Sequence, residues 1–190
     1  RDSNSDTHDT MMDARRVALD LLGQVLRQRQ ALDQVLDRHD GMRALPVRDR
    51  RFCRMLVATT LRRLGQIDDM INRAEHRESE KSMALVNILR MGITQILFMD
   101  VPDHAAVDTS VRLADTAQLE RQKGFVNGTL RTITRKGFEW LETQDAGRLN
   151  TPEWLLKSWI ADYELRGAAE IAQANLNEAP LDITIRDEAD

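Results

Sequence analysis

The sequence predicts an all-α protein, and three observations support this class. Apolar residues recur at intervals of three and four over most of the chain, which is the period of an amphipathic helix. Nine glycines and four prolines in 190 residues leave few turns for a many-stranded fold. Aromatic residues make up only 4% of the chain, which is low for the core of a β-sandwich. At this length we expect one domain with a substantial core.

The first helix is predicted from about Asp13 to Arg27. Its apolar stripe consists of residues one turn apart, Val17, Leu21 and Val25. Residues 1–12 are polar and acidic, and we expect them to be a disordered lead-in. A second, short helix is predicted over about 31–38 and should end near Gly41.

A long amphipathic helix is predicted from Val47 to about Arg73. One half of its helical wheel holds the apolar residues Phe52, Leu56, Val57, Leu61, Leu64, Ile67 and Ile71. The opposite half holds Arg48, Arg51, Arg54 and Arg62. Arg50 and Arg63 do not follow this division, and Gly65 is the expected point of any interruption.

The middle of the chain predicts a central helix followed by a tight helical pair. Residues 76–82 contain no apolar side chain and should form an exposed loop, whereas the next helix is apolar nearly all round, which is typical of the centre of a bundle. In the pair between Val101 and Arg131, the first helix should begin near His104 with Asp103 as its N-cap. The second should bury Phe125, Val126, Leu130 and Ile133.

After this pair the chain changes character. Residues 137–151 are predicted to be a linker, and residues 152–178 to form connecting helices that break after about Tyr163. Apolar and polar residues alternate over 181–185, which predicts a strand. Because an isolated strand is unstable, we expect residues 179–190 to begin a second, mixed α/β domain.

The net charge of −4 conceals a strongly basic segment. Between Met11 and Gly65 there are twelve arginines, six aspartates and no lysine, a balance of +6, so the remaining residues sum to −10. Guanidinium groups pair with phosphate and stack on bases, so this segment is a candidate RNA surface. The candidate RNA-binding residues in it are Arg15, Arg16, Arg27, Arg48, Arg50, Arg51, Arg54 and Arg62. A second basic cluster contributes Lys123 and Arg131.

No catalytic or metal-binding constellation is found. The sequence contains no Gly-rich phosphate loop, no G-x-S-x-G and no H-E-x-x-H, and its four histidines lack the spacing of metal ligands. Cys53, the single cysteine, is expected to pack between helices, and its isolation suits a reducing, cytoplasmic setting. No apolar run is long enough to span a membrane. We therefore expect no catalytic, cofactor or metal site in this chain and no membrane partner.

The helical pair also carries a resemblance to a known family. Its Val101, Pro102, His104, Ala105, Ala106 and Val107, followed by Gly124, Phe125, Val126, Asn127, Leu130 and Arg131, resemble the NusB-like RNA-binding domain. The resemblance implies a domain at 13–136 built of two packed three-helix bundles. It also implies that Arg15, Arg16 and Arg50 lie on an RNA-contacting surface. Asp108-Thr109 and Asp115 depart from the family pattern toward negative charge, which weakens the expectation that their helix contacts RNA.

The C-terminal part distinguishes members of this family. PEWLLKSW and LDITIRD resemble the Sun/Fmu-type rRNA cytosine-C5 methyltransferases, in which the NusB-like domain is N-terminal. This resemblance implies that the partners are small-subunit rRNA and the protein's own methyltransferase domain, with no DNA, and that S-adenosylmethionine binds beyond Asp190. Two alternatives remain. One is a freestanding NusB-like transcription antitermination factor, and the other is a helical protein-interaction module without RNA binding, which the net acidity favours.

Overall fold

The structure, a computed structural model, describes residues 3–75 and 80–179, with side chains described from Met12 onward. These residues contain ten α-helices and no strand, so the predicted all-α class is confirmed. The helices are α1 (Ser3–Gln28), α2 (Leu32–Arg38), α3 (Asp40–Ala44), α4 (Val47–Arg62), α5 (Leu64–Ala74), α6 (Met83–Leu97), α7 (Asp103–Thr116), α8 (Lys123–Glu142), α9 (Ala146–Leu149) and α10 (Glu153–Ala174). The strand predicted at 181–185 lies outside the described residues.

The chain divides into two units, residues 1–144 and 145–190. In the first unit α6 lies at the centre and packs against α1, α4, α5, α7 and α8. Its side chains are buried on nearly every side, as the apolar pattern predicted. Ser82 fixes the start of α6, because its Oγ accepts a hydrogen bond from the backbone N–H of Leu85 at 3.2 Å.

The three helices α6, α7 and α8 approach one another most closely at Gly92. A Cβ atom at this position would lie 2.7 Å from Cδ1 of Leu130 on α8 and 2.9 Å from Oγ of Ser110 on α7. Both neighbouring side chains are buried. Glycine therefore provides the space that allows these helices to cross.

The α7–α8 pair forms as predicted, with two corrections. Pro102 is the N-cap of α7 in place of Asp103, since the Pro102 carbonyl accepts hydrogen bonds from the N–H groups of Ala105 and Ala106 at 2.9 and 3.0 Å. Asp103 is instead the first helical residue, where its charge suits the helix dipole. Phe125 is 37% exposed, whereas the other three apolar residues expected on α8 are buried.

Two helices are longer than the sequence pattern indicated. α1 begins at Ser3 and so includes most of the segment that was expected to be a disordered lead-in. α8 continues to Glu142 through the first residues of the predicted linker. Gly137 does not end α8, because it lies against α6: a Cβ atom there would be 2.9 Å from Cδ2 of Leu97. The glycine at this position is therefore explained by the close packing of α8 on α6 and not by the end of a helix.

The long helix predicted from Val47 is interrupted at Arg63, two residues before Gly65. Arg63 leaves helical geometry (φ −107°, ψ 14°), and its guanidinium lies 5.2 Å from the centre of the Phe98 ring. A further short helix, α3, was not predicted. It starts where Nδ1 of His39 accepts a hydrogen bond from the backbone N–H of Met42 at 3.2 Å.

The second unit consists of α9 packed against α10. Asp145 caps α9 by accepting a hydrogen bond from the N–H of Arg148 at 3.1 Å. α10 is broken at Glu164, which has a positive φ of 61°, and this agrees with the break expected after Tyr163. Trp154, in the first turn of α10, is 72% exposed.

Candidate nucleic-acid interface

Four arginines lie on the exposed side of α4. Arg48, Arg51 and Arg54 are exposed and Arg62 is half-exposed. The buried side of the same helix holds Cys53, Leu56, Val57 and Thr60. The division predicted by the helical wheel is therefore observed, and we call the four residues the α4 arginine face.

Acidic side chains do little to neutralise the α4 arginine face. Asp49 is the one acidic residue within α4, and its charge acts on Arg15 of α1. Arg54 lies 3.8 Å from Asp33 of α2, but both side chains are largely exposed, and exposed ion pairs are weak. The guanidinium groups thus stay available for phosphate.

Arg50 is exposed beside this face and has a local structural role as well. Its Nη2 donates hydrogen bonds to the carbonyl oxygens of Leu45 at 3.1 Å and Arg43 at 3.4 Å. These bonds tie the end of α3 to the first turn of α4. Because both acceptors are neutral, the charge of Arg50 is not compensated by them.

Arg15 does not lie on the surface, which corrects the prediction that it contacts RNA. Its side chain is 1% exposed, and Nε and Nη2 donate to Oε1 of Gln95 at 2.9 and 2.6 Å. Its guanidinium lies 4.7 Å from the centre of the Phe52 ring. Burial lowers the pKa of Arg15 to about 10, while the charge of Asp49 acts in the opposite direction. Arg15 is a core residue that joins α1, α4 and α6.

Arg16 and Arg27 lie together at a groove where α1 passes α6 and α7. The groove has a volume of about 530 Å³. We call it the α1 groove, and it is lined by Arg16, Leu19, Asp20, Gly23, Gln24, Arg27, Gln28, Met83, Ala84, Asn87, Leu113, Thr116 and Ala117. Two cations, one carboxylate and three amides therefore face a partly apolar floor. This mixture can bind a ligand that combines charge, hydrogen-bonding groups and a flat apolar surface.

The second basic cluster is offset by nearby acids. Nζ of Lys123 lies 3.2 Å from Oδ1 of Asp115, and Nε of Arg131 donates to Oδ1 of Asn127 at 3.1 Å. Arg131 also lines a cleft of about 370 Å³ that contains Asp103 and Asp108. Carboxylates repel phosphate, so this cluster is electrostatically less favourable for a phosphate than the α4 arginine face.

Of the residues that line the α1 groove, sequence reasoning proposed only Arg16 and Arg27 as binding residues, and it missed Gly23, Gln24 and Asn87 among others. A glycine in the middle of a predicted helix is unfavourable, and this signal was available at Gly23. Asn87 is one of four polar or charged residues in an otherwise apolar segment, the others being Arg90, Thr94 and Gln95. Its neighbours from α1 could not be identified before the packing of α1 on α6 was known.

Three other features were examined in the described residues: metal-binding clusters, the Cys53 thiol and membrane-spanning helices. In that part of the chain, no three histidine, cysteine or acidic side chains gather where they could hold a metal ion. Cys53 lies in the core as predicted, and burial raises the pKa of its thiol to about 12, so the reactive thiolate is suppressed at neutral pH. No helix of the described part is long and apolar enough to cross a membrane.

Comparison with protein families resolves the relationship. The model of the NusB family matches residues 12–135 of the 190. The chain belongs to the NusB family. T. maritima NusB has the same fold, with a TM-score of 0.58 over 67% of this chain and 91% of that chain, at 24% identity.

Longer relatives of this NusB-family chain carry an enzyme name. Ribosomal RNA small subunit methyltransferase B of Shigella flexneri serotype 5b (strain 8401) is 32% identical over 171 residues, or 88% of this chain. The protein of the same name from Escherichia coli O157:H7 (strain EC4115 / EHEC) is 31% identical over the same length. The match falls in the N-terminal part of these relatives, and this chain spans 39% of their length.

Proposed function

We propose that this NusB-family chain is the RNA-targeting part of an rRNA cytosine-C5 methyltransferase that acts in the cytoplasm on small-subunit rRNA. The names of the longer relatives support an rRNA substrate, and their greater length supports a further, methyl-transferring domain. S-adenosylmethionine is proposed to bind in that domain.

The α4 arginine face is the observation that carries this proposal. It presents several guanidinium groups on one side of one helix, and the single acid of α4, Asp49, is not part of it. RNA helices are recognised largely through phosphates and shape, for which such a surface is suited. A protein-interaction module would not require this concentration of arginine.

The proposal predicts that the chain binds RNA in a salt-dependent manner and that the α4 arginine face provides most of the affinity. The test titrates labelled small-subunit rRNA hairpins with the chain from about 50 to 200 mM salt, a range over which phosphate contacts lose much of their strength. Replacing Arg48, Arg51, Arg54 and Arg62 with alanine should weaken binding about 100-fold at low salt, at roughly 0.7 kcal/mol for each exposed arginine. The slope of log affinity against log salt should fall by about one for each arginine–phosphate pair that the variant cannot form.

A matched control removes four exposed cations elsewhere, Arg112, Arg148, Lys157 and Arg166. The two variants have the same net charge, so a general electrostatic effect would weaken both equally. We expect the control to bind within about threefold of the unmodified chain. Equal losses in the two variants, or no binding by the unmodified chain at low salt, would overturn the proposal.

A further inference from the structure

The last turns of α8 lie in a segment whose sequence predicts a linker. Residues 137–142 are nevertheless helical, and Thr143 caps the helix with its N–H directed to the carbonyl oxygens of Trp140 and Leu141. Apolar packing holds this stretch only in part, because Phe138 is 59% exposed and Trp140 and Leu141 are half-buried. A segment with so little apolar burial can open at a free energy well below that of the whole unit.

A polar network attaches the same segment to α5. Nε2 of Gln66 donates a hydrogen bond to Oε1 of Gln144, and Nε2 of Gln144 donates to the backbone carbonyl of Gln66, both at 3.0 Å. Nε2 of Gln144 also donates to Oδ2 of Asp69 at 2.8 Å. Both donors and the acceptor of the Gln144 amide are therefore used, which fixes the first residue after the α8 cap.

A second branch of the network passes through Arg73. Its Nε lies 2.8 Å from Oδ2 of Asp69, and its Nη1 donates to Oγ1 of Thr143 at 3.0 Å. Gln66 is 2% exposed, whereas the side chains of Asp69 and Arg73 are 29% and 35% exposed. The outer contacts can therefore be exchanged for water when the segment opens, while the Gln66 contacts are the ones that resist opening.

We infer that Gln66, Asp69, Arg73, Thr143 and Gln144 form a latch, which holds residues 138–144 closed on α5 and can release them as the linker that their sequence predicts. Seven residues span about 10 Å as a helix and about 23 Å when extended. Opening of the latch thus lengthens the tether to everything that follows in the chain. Its use rests on the proposed function: a methyl-transferring domain later in the chain would reach nucleotides farther from the α4 arginine face.

Hydrogen exchange of the unmodified chain at several low urea concentrations tests whether the segment opens by itself. We expect the backbone amides of residues 139–144 to exchange at rates that urea barely changes, because local opening exposes little surface. Amides of the central helix α6 should exchange faster with each increment of urea, since only unfolding of the whole unit exposes them. The same urea dependence in both segments would overturn the latch, because residues 138–144 would then open only together with the unit.

Gln144→Ala tests whether the named contacts hold the segment closed. The substitution removes three hydrogen bonds, so exchange at residues 139–144 should rise about tenfold or more. Alanine favours a helix more than glutamine does, so fraying of the helix end alone predicts no increase. Gln173→Ala, at an exposed glutamine of α10, is the matched control and should leave these rates unchanged. Unchanged rates in Gln144→Ala would overturn the latch.

RNA titration separates the latch from the proposed function. Gln144 contacts no residue of the α4 arginine face, so Gln144→Ala should bind the rRNA hairpins within about twofold of the unmodified chain. A larger loss of affinity would overturn the latch, because the segment would then belong to the RNA surface and not to a tether. Absence of RNA binding by the unmodified chain would overturn the proposed function, whereas the exchange rates would still decide whether the latch exists.

Discussion

Replacing Arg15 with alanine is expected to lower the free energy of unfolding by about 3 kcal/mol or more. The substitution empties a buried volume and removes both donors to Oε1 of Gln95. It also removes the cation from the face of the Phe52 ring. Urea unfolding measures the change, and the neighbouring exposed Arg16→Ala, with an expected change within about 0.5 kcal/mol, is the control.

Arg15→Met separates packing from charge. Methionine retains most of the buried volume and avoids the cost of burying a charged group, so it should be less destabilising than alanine. An Arg15→Ala variant as stable as Arg16→Ala, yet weakened in RNA binding, would contradict the core position of Arg15 and restore it to the RNA surface.

Gly92→Val is expected to destabilise the chain by about 3 kcal/mol or more. Its Cβ alone would lie 2.7 and 2.8 Å from the two methyl carbons of Leu130, which is fully buried and has little room to move. It would also lie 2.9 Å from Oγ of Ser110, which donates a hydrogen bond to the carbonyl of Ala106. The crossing of α6, α7 and α8 would have to open.

The control for Gly92→Val is Gly128→Ala, whose new Cβ meets no atom within 4 Å. Alanine there should stabilise α8 by about 0.5–1 kcal/mol. Urea unfolding of the two variants therefore gives shifts of opposite sign. A Gly92→Val variant that unfolds like the unmodified chain would show that these helices do not cross as closely as described.

Much of the fold follows from helical periodicity. The apolar pattern of α6 surrounds the whole helix, and this alone predicts its central place. On α4, apolar and arginine positions separate on the wheel, and the buried and exposed sides follow that division. In both helices local sequence and tertiary packing agree, so the pattern is sufficient.

The errors arise where a distant contact determines the role of a residue. Arg15 has the same charge as Arg16, and only the packing of α1 against α6 brings Gln95 to it. Glycine often marks the end of a helix, but Gly137 packs against Leu97 and α8 continues past it. Asn87 joins the α1 groove for the same reason. Residue type and spacing alone do not identify these distant contact partners.

The most direct test of the RNA-targeting account is an NMR titration of the isotope-labelled chain with a small-subunit rRNA hairpin that carries an unpaired loop. We predict that backbone amide shifts concentrate in α1 between Arg16 and Arg27 and along α4 from Arg48 to Arg62. Shifts confined to α8 around Lys123 and Arg131, or to residues 145–179, would contradict the account. So would the absence of any shift at saturating RNA.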